Sequence, residues 1–366
     1  MRLFSTVPRR IAVSAGLLIG VAGPLRPQPS GPQPDRILGA AERKAVISGV
    51  LDSLQRSYFS RSIAKQVSKT IHARDKIHVY DSVSSANTLA RMLSEDLQSA
   101  AHDPHLRVIY SAEPIPPKPG PRPTPSPQQL AAAKAFHAKR NFGLVQLSRL
   151  PGNVGYMDLR AFADTSLAAE TLATAMTFLS NTDALIIDLR NNRGGEPEMQ
   201  ALLASYFYPA RTLLSTFRSD DPRRVSENWT VGVKGPRYLD KPVYILTSAR
   251  VTFSAAEGFS YVMQAFGKAK IVGEKTGGGT NPSDGYIINT NFAVLIPYAT
   301  PVVAATNTNW ASGVKPDSEV PAERALPAAH LMALEQLLSG PPSDLGAERR
   351  NAAADLREQL AHPTAH

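Results

Sequence analysis

The run Pro242-Val-Tyr-Ile-Leu-Thr-Ser-Ala-Arg-Val-Thr-Phe-Ser-Ala-Ala-Glu257 reads as a buried strand, a tight turn and the start of a helix, with an amphipathic segment continuing to Gly267. A short apolar run bounded by turn residues suits a strand covered on both faces. Ser254 then falls at the first turn of the helix, beside unpaired backbone N–H groups and the positive end of the helix dipole. Negative charge formed on a carbonyl attacked there is stabilised. Serine followed three residues later by Glu257 is also the capping-box pattern, and taken alone that commoner use accounts for it.

A second buried-strand run lies about sixty residues upstream, Ala184-Leu-Ile-Ile-Asp-Leu-Arg-Asn-Asn-Arg-Gly-Gly195, and ends in a glycine pair ahead of another helical stretch. Glycines after a strand let backbone amides approach a ligand closely, which is one way an oxyanion donor is built; a plain turn is the other use. Around these two runs, strands and helices alternate. Strands are expected at 153–162, 184–190, 242–247 and 269–273, and helices at 166–180, 196–206 and 254–267. That alternation predicts an α/β layered core. Residues 285–303 read as a β-hairpin and Ala325 to Leu338 as a closing helix. The charged, alanine-rich tail reads as one exposed helix.

Toward the N-terminus, Val46, Ile47, Val50, Leu51 and Leu54 recur at helical spacing, as do Ile63, Val67 and Ile71, and again Leu89, Leu93 and Leu97. This predicts a three-helix domain over 37–110. The stretch 113–127 carries too many prolines for a helix or a central strand, so 111–140 is expected to be a semi-rigid linker. The core is then expected over 141–340 and the charged tail over 341–366. Residues 1–23 combine a basic start, Arg9-Arg10, an apolar Ile11–Gly23 core and small residues at its end, the pattern of a secretory signal peptide. Thirteen apolar residues are few for a membrane span, which makes a retained anchor the weaker alternative. A Pro/Gly-rich segment follows over 24–36.

The 366 residues contain no cysteine, so packing must hold the fold without disulfides. The net charge of +9 is spread among interleaved acids and bases, which suits a solvated surface better than a nucleic-acid face. Gly277-Gly-Gly279 is not followed by the Gly-Lys-Ser/Thr ending of a phosphate loop, and no metal-ligand spacing appears. No cofactor is expected.

Several motifs in one order resemble the tail-specific (C-terminal processing) serine peptidases. They are His102-Asp-Pro-His-Leu106, Gly152-Asn-Val-Gly-Tyr156, Asp188-Leu-Arg-Asn-Asn-Arg-Gly-Gly195, Thr252-Phe-Ser-Ala-Ala-Glu257, Ile271-Val-Gly-Glu-Lys-Thr-Gly-Gly-Gly279 and Gly313-Val-Lys-Pro-Asp317. The chain is most similar to the branch of interphotoreceptor retinoid-binding protein and the tricorn core. That resemblance implies a crotonase/ClpP-like superhelical core with an N-terminal three-helix domain. No segment resembles the PDZ module that another branch carries.

The resemblance implies Ser254 as nucleophile and His105 as the base that a serine hydroxyl requires, with His102 as the understudy. The other branch uses a lysine about 25 residues beyond the serine. Gly279 occupies that position here, and Lys275 is the substitute on the same loop. Relatives also place an orienting glutamate after Asn-Trp, whereas this chain reads Asn309-Trp-Ala-Ser-Gly313, with no carboxylate. Asp103 is near the histidine in sequence, and Ser312 offers a hydrogen bond without charge. The oxyanion hole is expected from the backbone amides of Gly195 or Gly194 with that of Ala255. Asp188 and Arg190 read as structural.

The expectation is an exported, periplasmic or extracellular serine-type peptidase acting on peptide or protein substrates. The alternative is a catalytically weak or inactive binder of an apolar small molecule on the same scaffold.

Overall fold

The computed structural model describes residues 34–116 and 126–362. The expected signal peptide, most of the 24–36 segment and the centre of the proline-rich stretch lie outside them. In chain order the elements are helices α1 (Ala40–Ser57), α2 (Arg61–Lys76) and α3 (Ala86–Ala101), strand β1 (Arg107–Tyr110), α4 (Pro127–Ala138), β2 (Leu144–Leu150) and β3 (Val154–Leu159). Next come α5 (Thr165–Leu179), β4 (Ala184–Asp188), α6 (Pro197–Ala204), β5 (Leu213–Arg218), β6 (Ser226–Trp229), β7 (Val243–Thr247), α7 (Ala255–Ala265) and β8 (Lys270–Gly273). The chain closes with β9 (Ser283–Ile287), β10 (Phe292–Pro297), β11 (Thr300–Val303), β12 (Ser318–Glu319), α8 (Ala325–Leu338) and α9 (Gly346–Ala361).

The central sheet has six strands in the order β12-β8-β7-β4-β3-β2, all parallel except the β2–β3 pair. Strands β3, β4 and β7 are buried at every position, which explains their mainly apolar runs: a parallel sheet is covered on both faces. The two faces separate by alternation along each strand. Leu185, Ile187, Val243, Ile245 and Ile271 pack with Leu172 and Met176 of α5, Met199 and Leu203 of α6, and Phe259 and Val262 of α7. Ile186, Tyr244, Leu246 and Val272 face the other way, onto Ala325, Ala329 and Ala333 of α8. Alanines at helical spacing let α8 lie close against the sheet. The result is the layered α/β core of the crotonase/ClpP-like superhelix that the motifs implied.

Helices α1 to α3 form at the expected places, with Ser60 and Ser85 as side-chain caps of α2 and α3. Their core is completed from far along the chain. Phe292, Val294 and Ile296 of β10 pack among Val46, Leu54, Ile71, Leu93 and Leu97, and β1 pairs with β10 in the sheet β1-β10-β9. Strand β1 and the turn before it therefore lie where the helical layer meets the hairpin.

Three expectations change. The hairpin over 285–303 is instead β9–β10, while β11 crosses to β5 in a separate sheet β11-β5-β6. Pro297, which cannot donate to a ladder, is the last residue of β10. Within the stretch expected to be a linker, Pro127–Ala138 is helical. The tail helix is not simply exposed: Ala352 and Ala353 of α9 are buried against α8, and the Arg349 guanidinium binds the Gly152 carbonyl and pairs with Asp183. Among the described residues no helix is long and apolar enough to cross a membrane.

His330 of α8 is buried, and its Nε2 is 2.9 Å from the Pro151 carbonyl oxygen. Burial pushes its pKa below the ordinary value, and the bond to Pro151 offsets this only in part. The unfolded chain thus takes up the proton first, so stability is complete above about pH 7 and declines as the pH falls through about 6.5. Urea denaturation at a series of pH values between 5 and 8 should show this decline, and His330→Gln should flatten it. An equal slope in both proteins would exclude His330 as its source.

Candidate active site

The turn between β7 and α7 is sewn to the exit of β4. Ser248 Oγ donates to the Arg190 carbonyl at 2.6 Å, Thr252 Oγ1 to the Leu189 carbonyl at 2.9 Å, and the Phe253 amide to the Asn192 carbonyl at 3.1 Å. Held this way, Ser254 adopts φ 56° and ψ −121°, a conformation that costs a non-glycine residue about 1–3 kcal/mol. It is half-buried at the N-terminus of α7. Its amide donates to Glu257 Oε2 at 2.9 Å, so the glutamate's half of the capping box is present. The same carboxylate accepts from the amides of Gly278 at 2.6 Å and Gly279 at 2.7 Å, and Glu257 is fully buried. One side chain thus joins the serine turn to the glycine loop.

The glycine pair comes to this turn from the other side. A Cβ on Gly194 would lie 2.8 Å from Ser254 Cβ and 2.9 Å from the Ala255 nitrogen, so only glycine allows the approach. Gly194 and Gly195 have φ of 97° and 141°, which also favour glycine. The Gly194 amide donates to Asn192 Oδ1 at 2.7 Å. Of the two glycines weighed for the oxyanion hole, Gly194 is therefore committed internally. Gly195 and Ala255 have amides that donate no hydrogen bond among the described residues. Fully buried Asn192 was missed at the sequence level. It ties the Gly194 amide, the Phe253 amide and, through Nδ2 at 2.9 Å, the Leu159 carbonyl into one unit.

The histidine turn completes the cluster. His102 ends α3 in a left-handed conformation and is exposed, which removes it from the site. His105, its side chain 15% exposed, packs its ring 5.5 Å from that of Phe253, the residue before Ser254. Among the described residues no hydrogen bond yet joins Ser254 to His105. Imidazole Nδ1 lies 3.2 Å from Asp103 Oδ1. Asp103 is buried, and it also accepts from the His105 amide at 3.0 Å, the Tyr58 hydroxyl at 3.1 Å and Asn281 Nδ2 at 2.7 Å. Burial pushes the Asp103 carboxyl up, but the bonds from the His105 side chain, Asn281 and the His105 amide outweigh it and hold the pKa below the ordinary value. Burial beside this carboxylate raises the Tyr58 hydroxyl, which stays a donor.

Other sequence-level candidates separate from the cluster. Lys275 is exposed, with its Cε alongside Gly313, and lacks the burial a lysine base needs. At Gly279 a Cβ would come within 2.3 Å of the Phe253 ring, so no side chain fits there while that ring stacks on His105. Ala311 and Ser312 are exposed, while Trp310 turns inward and donates to the Gly279 carbonyl at 3.1 Å. Asp188 and Arg190 form an ion pair braced by the Tyr156 hydroxyl, the structural use expected of them. Elsewhere an apolar recess is lined by Leu144, Leu159, Ala163, Leu172, Met199 and Leu203.

Comparison with known proteins fits this arrangement. The profile described as Peptidase family S41 matches residues 153–320, and that of the N-terminal domain of Peptidase S41 in eukaryotic IRBP matches residues 40–139. A carboxyl-terminal-processing protease of Synechocystis sp. is 30% identical over 131 residues, 36% of this chain; the match spans 29% of that relative's length. A Parabacteroides merdae crystal structure, described as a candidate peptidase, shares the fold at a TM-score of 0.58 and 17% identity, covering 82% of this chain and 99% of the other. Two family matches in chain order, one over the helical layer and one over the sheet that carries Gly195 and Ser254, establish that the chain belongs to peptidase family S41, the tail-specific peptidases.

Proposed function

We propose that this protein is an exported serine-type peptidase that cleaves peptide bonds through an acyl-enzyme on Ser254. His105 takes the hydroxyl proton as Oγ attacks the scissile carbonyl carbon, and the tetrahedral oxyanion accepts from the amides of Gly195 and Ala255. The positive end of α7 adds to that stabilisation. His105 then passes the proton to the leaving amine, and the same groups activate water to hydrolyse the ester. The single observation that supports this most is the convergence of three distant motifs: Gly194 in contact with Ser254 and Ala255, and the His105 ring against Phe253. A strained serine at a strand-to-helix turn adds to it.

Export rests on the basic and apolar pattern of residues 1–23. The second reading, a binder of an apolar small molecule, draws on the recess lined by Leu159, Leu172 and Met199. Treatment of the full chain with a fluorophosphonate probe, followed by peptide mass mapping, separates the two. A single adduct at Ser254 is expected. No adduct, or one at another serine, would overturn the peptidase reading.

A further inference from the structure

We infer that Asp103 is the positioning acid of this site, holding His105 in the tautomer that can accept the Ser254 proton. The inference rests on the reading of Ser254 and His105 as the catalytic pair. The bland role for Asp103 is local: an aspartate that accepts the amide two residues on simply forms a turn. That role needs one oxygen and no burial. Here the residue is 3% exposed, and donors from two distant parts of the chain converge on it.

Oδ2 accepts from Tyr58, at the end of α1, and from Asn281, just past the glycine loop. Asn281 Oδ1 is buried without a protein donor among the described residues, so the bond from Nδ2 to the carboxylate sets the amide's orientation. Those two bonds fix the carboxylate plane and turn Oδ1 toward the imidazole, 3.2 Å from Nδ1. A carboxylate held ionised offers only acceptors, so Nδ1 must carry the hydrogen. Nε2 is then the lone-pair nitrogen, as a base toward a serine hydroxyl requires. Phe253 packs against the ring and limits its rotation. A 3.2 Å separation is long for a charge-assisted bond, and catalytic bonds of this kind tighten when substrate binds.

The device also couples three elements. The acid and base share one turn between α3 and β1, the Tyr58 donor comes from the helical layer, and the Asn281 donor comes from the loop that Glu257 ties to the serine. Alignment of the base therefore depends on the helical layer seating against the core.

Two readouts on the full chain test this. Long-range 15N–1H NMR spectra of the His105 ring should show the Nδ1–H tautomer in the parent, and Asp103→Asn should lose that preference. The bond-forming rate constant for fluorophosphonate labelling should fall on the order of 10³- to 10⁴-fold in Asp103→Asn, with the half-saturating probe concentration little changed. Asp103→Glu should recover part of both, whereas a purely local turn role would recover neither. Tyr58→Phe should keep the tautomer and cost less than about tenfold.

An Nε2–H tautomer in the parent overturns the inference without any variant. So does an unchanged tautomer in folded Asp103→Asn, whatever the labelling does. Should the tautomer respond while the parent never labels at Ser254, the positioning stands and the peptidase reading fails.

Discussion

Ser254→Ala and His105→Ala are each expected to lower the hydrolysis of fluorescein-labelled casein by about a million-fold, and the double variant by scarcely more. In the proposed mechanism Ser254 and His105 act on one proton in one step, so losing either removes the whole nucleophilic route, and the losses do not add. What survives is whatever the amides of Gly195 and Ala255 contribute by polarising the carbonyl. Stability should separate the two sites of change. Ser254 sits at φ 56° with ψ −121°, which alanine tolerates no better than serine, so Ser254→Ala should denature in urea close to the parent. Ser254→Gly adopts that conformation freely and should be more stable by about 1 kcal/mol, the released strain less the entropy a glycine adds to the unfolded chain. A more stable glycine variant with no activity would mark the strain as a cost of holding the nucleophile. Undiminished hydrolysis in His105→Ala would remove the imidazole from the mechanism, and Lys275, exposed beside Gly313, offers no ready replacement.

Much of this was legible in the sequence because parallel strands buried on both faces leave an unmistakable record. Ala184–Asp188 and Val243–Thr247 are apolar along almost their whole length, and each ends where a turn must present something. Glycines at 194 and 195 were legible for a related reason: backbone contact, of Gly194 with the serine turn and of Gly195 with Phe162, excludes any side chain. Strand β6 and the half-exposed β2, each at the edge of its sheet, left no such record, since edge positions accept polar and apolar residues alike. The acid beside His105 was obscured for a geometric reason. With no carboxylate in Asn309–Gly313, spacing alone suggests that an acid is absent, and Asp103 looks like a turn residue. Only the tertiary approach of Tyr58 and Asn281, 45 and 178 positions away, shows where its second oxygen is held. Asn192 was hidden in the same way, because three bonds to backbone carry no sequence period.

Glu257→Ala is expected to cost about 4 kcal/mol in urea denaturation, more than any other single change in the serine turn. The carboxylate is fully buried and accepts three amide hydrogens, from Ser254, Gly278 and Gly279. Hydrogen bonds to a charged group contribute about 1.5–3 kcal/mol each, and truncation would leave three N–H groups without partners in a place water reaches poorly. The change also reaches the chemistry. Gly279 holds the Trp310 indole through its carbonyl and lies against the Phe253 ring, which in turn packs on His105. Once the loop is released, Ser254 and His105 lose their common support, so the fluorophosphonate labelling rate should fall by more than about a hundredfold, a loss of the size that small misplacements produce. Glu257→Gln sharpens the test because it preserves volume. Its amide nitrogen must face at least one donor that the carboxylate accepted, so a loss of about 2–3 kcal/mol should remain. Equal stability and equal labelling in the glutamine variant would mean that shape alone holds the turn, and that the negative charge at the start of α7 serves no structural purpose.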